Sequence, residues 1–291
     1  MSEIDPLLSS SGNFAGLPPQ FSDFKNSKVT ILPVPYDTTA EWHSGSREGP
    51  ASIIEASYFL EWYDIELDKE PFKVGINTLP EMKPVLNGPE NMSQNVYQAV
   101  RHLLQRSKFV VMLGGEHSIS LGAVRAYKEK YPACSVLQLD AHLDLRDEYL
   151  GTKYGQASVM RRIIELCPIT QVGIRSMSSE EKEFVSQNNL KPFFIEQGHD
   201  PLSPERIVDS LKQDVYITID LDVFDPSIMP AVGTPEPGGL LWHQVISLLK
   251  TVAERRNVIG FDVVELCPVQ SNWACSYTAA KLIYKLIGYC L

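Results

Sequence analysis

The sequence predicts one α/β domain built on a mostly parallel sheet between helical layers. Three observations carry that expectation. Short, continuous apolar runs recur along the chain, amphipathic helical patterns separate them, and clusters of acidic and imidazole groups fall where the runs end. Apolar runs without polar alternation suit strands covered on both faces, as parallel strands are.

Residues 1–27 are rich in Ser, Gly, Pro and Asn and are expected to form an N-terminal arm ahead of a single domain, 28–291. Strands are expected at 28–34 (KVTILPV), 109–113 (FVVML), 135–139 (SVLQL), 169–174 (ITQVGI), 215–219 (VYITI) and 258–264 (VIGFDVV). Helices fill the gaps. One begins near Asn91 and carries Val96, Ala99, Val100, Leu103 and Leu104 at helical spacing. A second follows His117 and Ser118 and runs toward Tyr131. A third opens with Ser203 as N-cap, Pro204 in the first turn and Glu205 behind it. A fourth covers Leu241 to Arg255, and TAAKLIYKLI supplies the last. No linker or internal repeat interrupts the alternation, which points to one domain.

The 291 residues are 44% hydrophobic and 21% charged, an ordinary globular balance with ample core. A formal net charge of −10 argues against nucleic acid or an anionic membrane as partner, since both need a basic face, and mildly favours a cationic ligand. Five cysteines, odd in number and without a CxxC pair, suit a reducing cytosol rather than a disulfide framework or zinc knuckle. The chain opens without a basic, apolar leader, and no run reaches the length of a membrane span, so a soluble cytoplasmic protein is expected.

The polar clusters are the informative part. The run at 109–113 is followed by GGEHS, 135–139 by DAHLD, 215–219 by DLDVFDP and 258–264 by Glu265. In open parallel sheets, ligand sites form beyond the carboxyl ends of the strands. Asp220 and Asp222 are spaced i, i+2, which in an extended chain turns both carboxylates to one side, and Asp140, His142 and Asp144 repeat that spacing. With His117 the set is four carboxylates and two imidazoles. Such donors suit Mn²⁺ better than thiolate-preferring metals, while Ni²⁺, Co²⁺ and Fe²⁺ stay open. They are too many for one ion and fit a pair about 3.5 Å apart, as in two-metal hydrolases. Four carboxylates and one bridging hydroxide roughly balance two divalent cations. Without the cations, the same carboxylates repel one another and their pKa values must rise. Asp225, just before Pro226, reads instead as turn chemistry.

In this order on successive strand ends, GGEHS, DAHLD and DLDVFDP resemble the ureohydrolase family of arginases and agmatinases, nearest to the agmatinase branch. PVPYDTT with GSREGPASI, then GIRS, GTPEPGGL and GFDVVELCP extend the likeness over nearly the whole chain from about residue 28. The resemblance implies a three-layer αβα sandwich holding two Mn²⁺ ions. It implies one ion held by His117, Asp140, Asp144 and Asp220, and the other by Asp140, His142, Asp220 and Asp222, with Asp140 and Asp220 bridging. Glu265 matches the family carboxylate that grips the substrate guanidinium through charge-assisted hydrogen bonds. The implied reaction is hydrolysis of a small cationic guanidino compound to urea and an amine, within polyamine biosynthesis. Homotrimers or homohexamers are the implied assembly.

Two features qualify the likeness. In the loop LRDEYLGTKYGQ, Asp147 and Glu148 are expected near the mouth, where they repel a carboxylate and suit an amine tail such as agmatine or aminopropylagmatine; Arg146 offsets part of that charge. In KYGQASVM, Gln156 stands where related sequences carry a His thought to pass protons to the leaving amine. An amide cannot do so. Three readings stay open: a slower ureohydrolase relying on solvent or another group, an enzyme for another guanidino or amide substrate, and a metal-binding homologue without turnover. His243, close after PGGLLW, is the best-placed substitute and a candidate substrate contact. His43 and His199 are further candidates, and His102, inside a helical pattern, reads as structural.

Overall fold

The apolar runs become strands β1 (Val29–Val34), β3 (Phe109–Gly114), β4 (Ser135–Leu139), β5 (Ile169–Ile174), β7 (Asp214–Asp220) and β8 (Asn257–Val264) in the computed structural model, which describes residues 12–195 and 203–291. Two short strands, β2 (Ile76–Thr78) and β6 (Phe193–Phe194), lie at the edges. The eight form one sheet in the order β2-β1-β3-β8-β7-β4-β5-β6, with every strand pairing parallel. Every residue of β1 and β4 is buried, as continuous apolar runs require when both faces are covered.

Helices cover those faces. On one side, α2 (Gly49–Ser57), α7 (Pro204–Ser210), α8 (Trp242–Arg255) and α9 (Trp273–Cys290) pack Ile53, Ile207, Leu249 and Ile283 onto Ile31, Leu113, Ile219 and Val263. On the other, α3 (Pro89–Gln105), α4 (Ser120–Lys130) and α5 (Val159–Ile164) bring Val96, Val124 and Ile163 against Leu32, Met112 and Val136. Two separate apolar cores with the sheet between them make three layers. At the start of α6 (Ser179–Gln187), Ser178 and Glu181 form a reciprocal capping box, and Ser203 caps α7 by accepting the Arg206 N–H, as its sequence signature predicts.

The expected arm is described only from residue 12. There Phe14 and Leu17 are fully buried in the first core, and a short helix α1 (Pro19–Ser22) leads into β1. At the other end, Lys285 of α9 is buried and reaches both oxygens of Asp64 at 3.0 Å and Glu66 Oε2 at 2.8 Å, tying α9 to the loop after α2. Among the described residues, no helix is long and apolar enough to cross a membrane.

Candidate metal centre and active site

The carboxyl ends of β3, β4, β7 and β8 converge on a cavity of about 280 Å³. His117, His142, Asp144, Asp220, Asp222 and Glu265 line it, and Asp140 lies fully buried in contact with both histidines.

Each side chain is aimed by local backbone. β3 ends in Gly114 and Gly115, and a Cβ on Gly115 would stand 2.0 Å from the Tyr36 carbonyl oxygen, so only glycine lets the chain pass. The Glu116 N–H then donates to that carbonyl at 2.7 Å, and a 3-10 turn over His117–Ile119 swings His117 inward. Glu116 is buried beneath the turn. It accepts the Thr39 N–H at 2.6 Å, the Thr39 hydroxyl at 2.7 Å and the Ser118 hydroxyl, and burial pushes its carboxyl up to about 7. Asp144 and Glu265 adopt left-handed backbone, at φ 53° and 66°. Such strain costs about 1–3 kcal/mol per residue and persists where neighbours impose it. Here the Asp144 carbonyl accepts the Met160 and Arg161 N–H groups, while the Glu265 N–H donates to the Gly115 carbonyl.

Around His117 the hydrogen bonds dictate the tautomer. The Thr218 hydroxyl donates to Asp262 Oδ1 at 2.6 Å, so its oxygen is left to accept from His117 Nε2–H at 2.8 Å. Tyr216 donates to the other oxygen of buried Asp262. His117 Nδ1 is thereby turned into a nest of carboxylates: Asp144 Oδ2 at 3.0 Å, Asp140 Oδ2 at 3.1 Å and Asp220 Oδ2 at 3.6 Å. It is buried without a hydrogen-bond partner among the described residues. A lone pair facing carboxylate oxygens is a place for a cation. In the protein alone a proton takes that place: burial disfavours the charged ring, but Asp140 and Asp144 outweigh it and raise the His117 pKa well above its ordinary value.

The second imidazole is arranged similarly. His142 Nδ1 lies 2.8 Å from Asp222 Oδ2 and 3.6 Å from Asp140 Oδ1. Burial opposes its charge, while Asp222 and Asp140 push its pKa up to about 12. Backbone donors orient the carboxylates: Asp140 accepts the His142 N–H, Asp220 the Asp222 N–H and Asp222 the Ala141 N–H. Burial and the charges of Asp222 and Asp140 hold the Asp220 carboxyl well above its ordinary value. Two groups of donors lie with their ligand atoms within 4.8 Å of one another: His117, Asp140 and Asp220, and Asp140, His142 and Asp222. Asp140 belongs to both, and Asp144 adjoins the first through His117. Oxygen and imidazole donors, an orphaned imidazole nitrogen and an excess of buried negative charge fit two hard divalent cations.

The substrate contacts expected from the loop are placed differently. The Asp147 carboxylate pairs with Arg162 at 2.6 Å and Lys153 at 3.4 Å and does not line the cavity. Glu148 is exposed and also lies outside the lining. His243 is exposed on the first turn of α8, away from the cavity. His43 is exposed beside Trp42, His102 is exposed next to Arg106, and His199 lies outside the described residues. Arg146 does line the cavity, its guanidinium 4.4 Å from the centre of the Tyr149 ring. Asp225 accepts the N–H groups of Ser227, Gly238 and Gly239, a turn role. The acidic residue that reaches the mouth is Glu41, in the loop after β1, which sequence reasoning passed over. Its signal was there: an acid one residue beyond the PVPYDTT segment that carries the family likeness, after Ala40.

Comparison with known proteins agrees with this geometry. A profile of the arginase family matches residues 27–288. The N(1)-aminopropylagmatine ureohydrolase of Synechocystis sp. is 36% identical, with 97% of each chain covered. The agmatinase of Pyrococcus horikoshii is 34% identical, with 91% of this chain and 93% of its own covered. The solved structure of the agmatine ureohydrolase of Thermoplasma volcanium aligns with a TM-score of 0.82 at 32% identity, over 92% of both chains.

Proposed function

The chain belongs to the arginase family, and on that premise we propose that it hydrolyses a linear guanidino compound to urea and an amine. Agmatine and aminopropylagmatine are the proposed substrates, and polyamine biosynthesis the proposed setting. The observation that supports this most directly is the convergence of six metal-type donors and Glu265 on one cavity.

In this reading His117, Asp140, Asp144 and Asp220 hold one divalent ion and Asp140, His142, Asp220 and Asp222 the other, with Mn²⁺ the proposed metal. When bound, such a pair lowers the pKa of water toward about 7 and so supplies hydroxide at neutral pH. The chain's residues do the rest. Glu265 receives the planar guanidinium: its Oε1 already accepts the His117 N–H at 2.6 Å, which fixes the carboxylate and leaves Oε2 for a substrate N–H. Burial and the neighbouring Glu116 raise the Glu265 pKa well above its ordinary value, so an incoming cation restores its charge and is drawn to it. Glu41 at the mouth favours a positively charged tail over a carboxylate. Among the lining residues the only imidazoles are His117 and His142, both committed as ligands, so the leaving amine takes its proton from solvent.

Urea release from agmatine and aminopropylagmatine by the Mn²⁺-loaded protein, with metal content measured on the same sample, tests the proposal. No urea from any guanidino compound overturns it. Gln156 favours a second reading, a substrate-shifted or silent homologue; a large gain in turnover in Gln156→His would support that one. We further propose a homo-oligomer, a trimer or hexamer as implied by the family likeness, in the reducing cytoplasm, in keeping with five free cysteines.

A further inference from the structure

We infer that Arg175 is the positioning residue of the second metal position: from outside the cavity it locks together the backbone segments that present His142 and Asp222. The inference rests on the two-ion centre proposed above and names what aims one half of it.

Arg175, in the GIRS segment, directly follows β5 and does not line the cavity. In the sheet β4 separates β5 from β7, so the side chain reaches across the end of β4 to the turn after β7. There Nη2 donates to the Asp222 carbonyl at 2.6 Å and the Phe224 carbonyl at 3.3 Å. Nη2 also donates to the Glu236 carbonyl at 2.7 Å and Nε to the Pro237 carbonyl at 3.2 Å, which fastens the 233–240 loop to that turn. The backbone of Arg175 holds the other donor. Its N–H donates at 2.9 Å to the carbonyl of Ala141, which lies between Asp140 and His142. The Ala141 N–H in turn donates to Asp222 Oδ1 at 2.9 Å, so the contacts close a ring from Arg175 through Ala141 and Asp222 back to Arg175. Gly173 permits the approach, because a Cβ there would stand 2.8 Å from the Asp140 carbonyl oxygen.

Carbonyls just past a helical turn have no partner within it and need outside donors. A guanidinium offers five N–H groups in one rigid plane, whereas an ammonium offers three on a flexible stem. Every hydrogen bond of the Arg175 guanidinium goes to a backbone carbonyl. Its positive charge, near two divalent cations, opposes them. What Arg175 adds to metal binding therefore comes through geometry, and the two effects differ in sign. Losing the charge alone would tighten the ions, while losing the clamp loosens the one held by His142 and Asp222. His117 and Asp144 are aimed by other contacts, the Thr218 hydroxyl and the Met160 and Arg161 N–H groups, so the first position is spared.

Mn²⁺ titration of the chelated protein, followed by electron paramagnetic resonance and metal analysis, tests this without reference to turnover. Loaded wild type is expected to give the spectrum of a spin-coupled pair. Arg175→Met is expected to bind its second ion about 10–100-fold more weakly. At metal concentrations that fill both positions in wild type, it should show the protein-bound spectrum of an isolated ion. Arg175→Lys keeps the charge and the stem but not the fork, and is expected to recover only part of the affinity. Unchanged or tighter second-ion binding in Arg175→Met overturns the inference. So does equal weakening of both ions, which is a general loosening, and so does full recovery in Arg175→Lys, which would make the charge the active feature. If Arg175→Met does not fold, Arg175→Lys decides alone: a weakened second ion beside an intact first supports the inference, and wild-type affinity overturns it. A wild type that binds two ions and releases no urea overturns the proposed function only, whereas one that binds a single ion overturns both.

Discussion

Asp140→Asn tests the centre at its most exposed assumption, that one carboxylate serves both metal positions. Asp140 occurs in both donor groups, and every ligand atom in each group lies within 4.8 Å of the others. A ligand oxygen sits closer to its ion than such ligand atoms sit to one another, so the attraction of a unit charge to a divalent one at that spacing, about 7 kcal/mol at an effective dielectric near 20, is a lower bound. Deleting it should weaken either ion by several orders of magnitude. Asp222 occurs in one group only, so Asp222→Asn should disable one position and spare the other. With free Mn²⁺ near 1,000 times the dissociation constant, each occupied site stabilises the fold by about 4 kcal/mol. At about 2 °C per kcal/mol for a chain of this size, Mn²⁺ should raise the wild-type Tm by roughly 15 °C over the chelated protein. Asp222→Asn should keep about half of that rise, and Asp140→Asn almost none. Metal analysis after gel filtration should find two, one and no ions per chain in the same order, with far-UV circular dichroism confirming that the chelated variants are folded. Two ions in Asp140→Asn, or equal losses in the two variants, would refute the shared-carboxylate reasoning.

Other outcomes follow from features away from that carboxylate. Lys285→Met leaves Asp64 buried without its main partner and should cost about 3–5 kcal/mol in urea denaturation, without altering activity per folded molecule. Lys285 holds the Glu66 carboxyl down to about 2; at Asp64 burial is the largest influence, but the Lys285 hydrogen bond, the Leu67 N–H and the charges of Lys285 and Lys281 together outweigh it and lower the carboxyl. Depressed carboxylate pKa values stabilise the fold above the ordinary acid range, and that contribution is lost as pH falls. The wild type should therefore lose stability more steeply than Lys285→Met between about pH 4.5 and 2, a difference readable from Tm against pH. Gly115→Ala drives a Cβ into the Tyr36 carbonyl and should cost about 1–3 kcal/mol or more, with loss of bound metal as the His117 turn moves. Asp147→Asn should leave KM for agmatine unchanged within about twofold, because that carboxylate already faces Arg162, whereas Glu41→Gln should raise it about threefold.

The central strands were legible because burial on both faces writes itself as predominantly apolar sequence without regular polar alternation; β1, β3, β4, β5, β7 and β8 follow that rule, although Gln138, Gln171, Thr218 and Asp262 lie within them. The edge strands β2, with only Ile76 fully buried, and β6, two residues long, have too little apolar sequence to signal anything. Helix α2 was passed over because GPASIIEAS opens with two residues that usually break helices, although Pro50 sits in the first turn, where it is tolerated. The six metal-type donors were readable for a local reason: Asp220 closes β7 and the other five follow a strand end within a few residues, so the strand aims them. Which acids face the cavity was not, because their direction is set by partners distant in sequence. Asp147 is turned aside by Arg162 of α5, whereas Glu41, in the loop after β1, lines the cavity. Charge near a mouth can be read from sequence, but its orientation cannot.

The place of β8 in the sheet has a consequence for how the protein is made. Although it is the last strand in sequence among the described residues, it lies at the centre, joining β2-β1-β3 to β7-β4-β5-β6. His117 belongs to one half and Asp140, His142, Asp144, Asp220 and Asp222 to the other. A nascent chain still lacking residues 257–264 therefore carries two partial sheets with open inner edges and no closed pocket, the state in which β-rich intermediates are most prone to stick to one another. Chaperone protection during that interval and the moment at which a cation can first be captured are thus bound to the insertion of a single eight-residue segment.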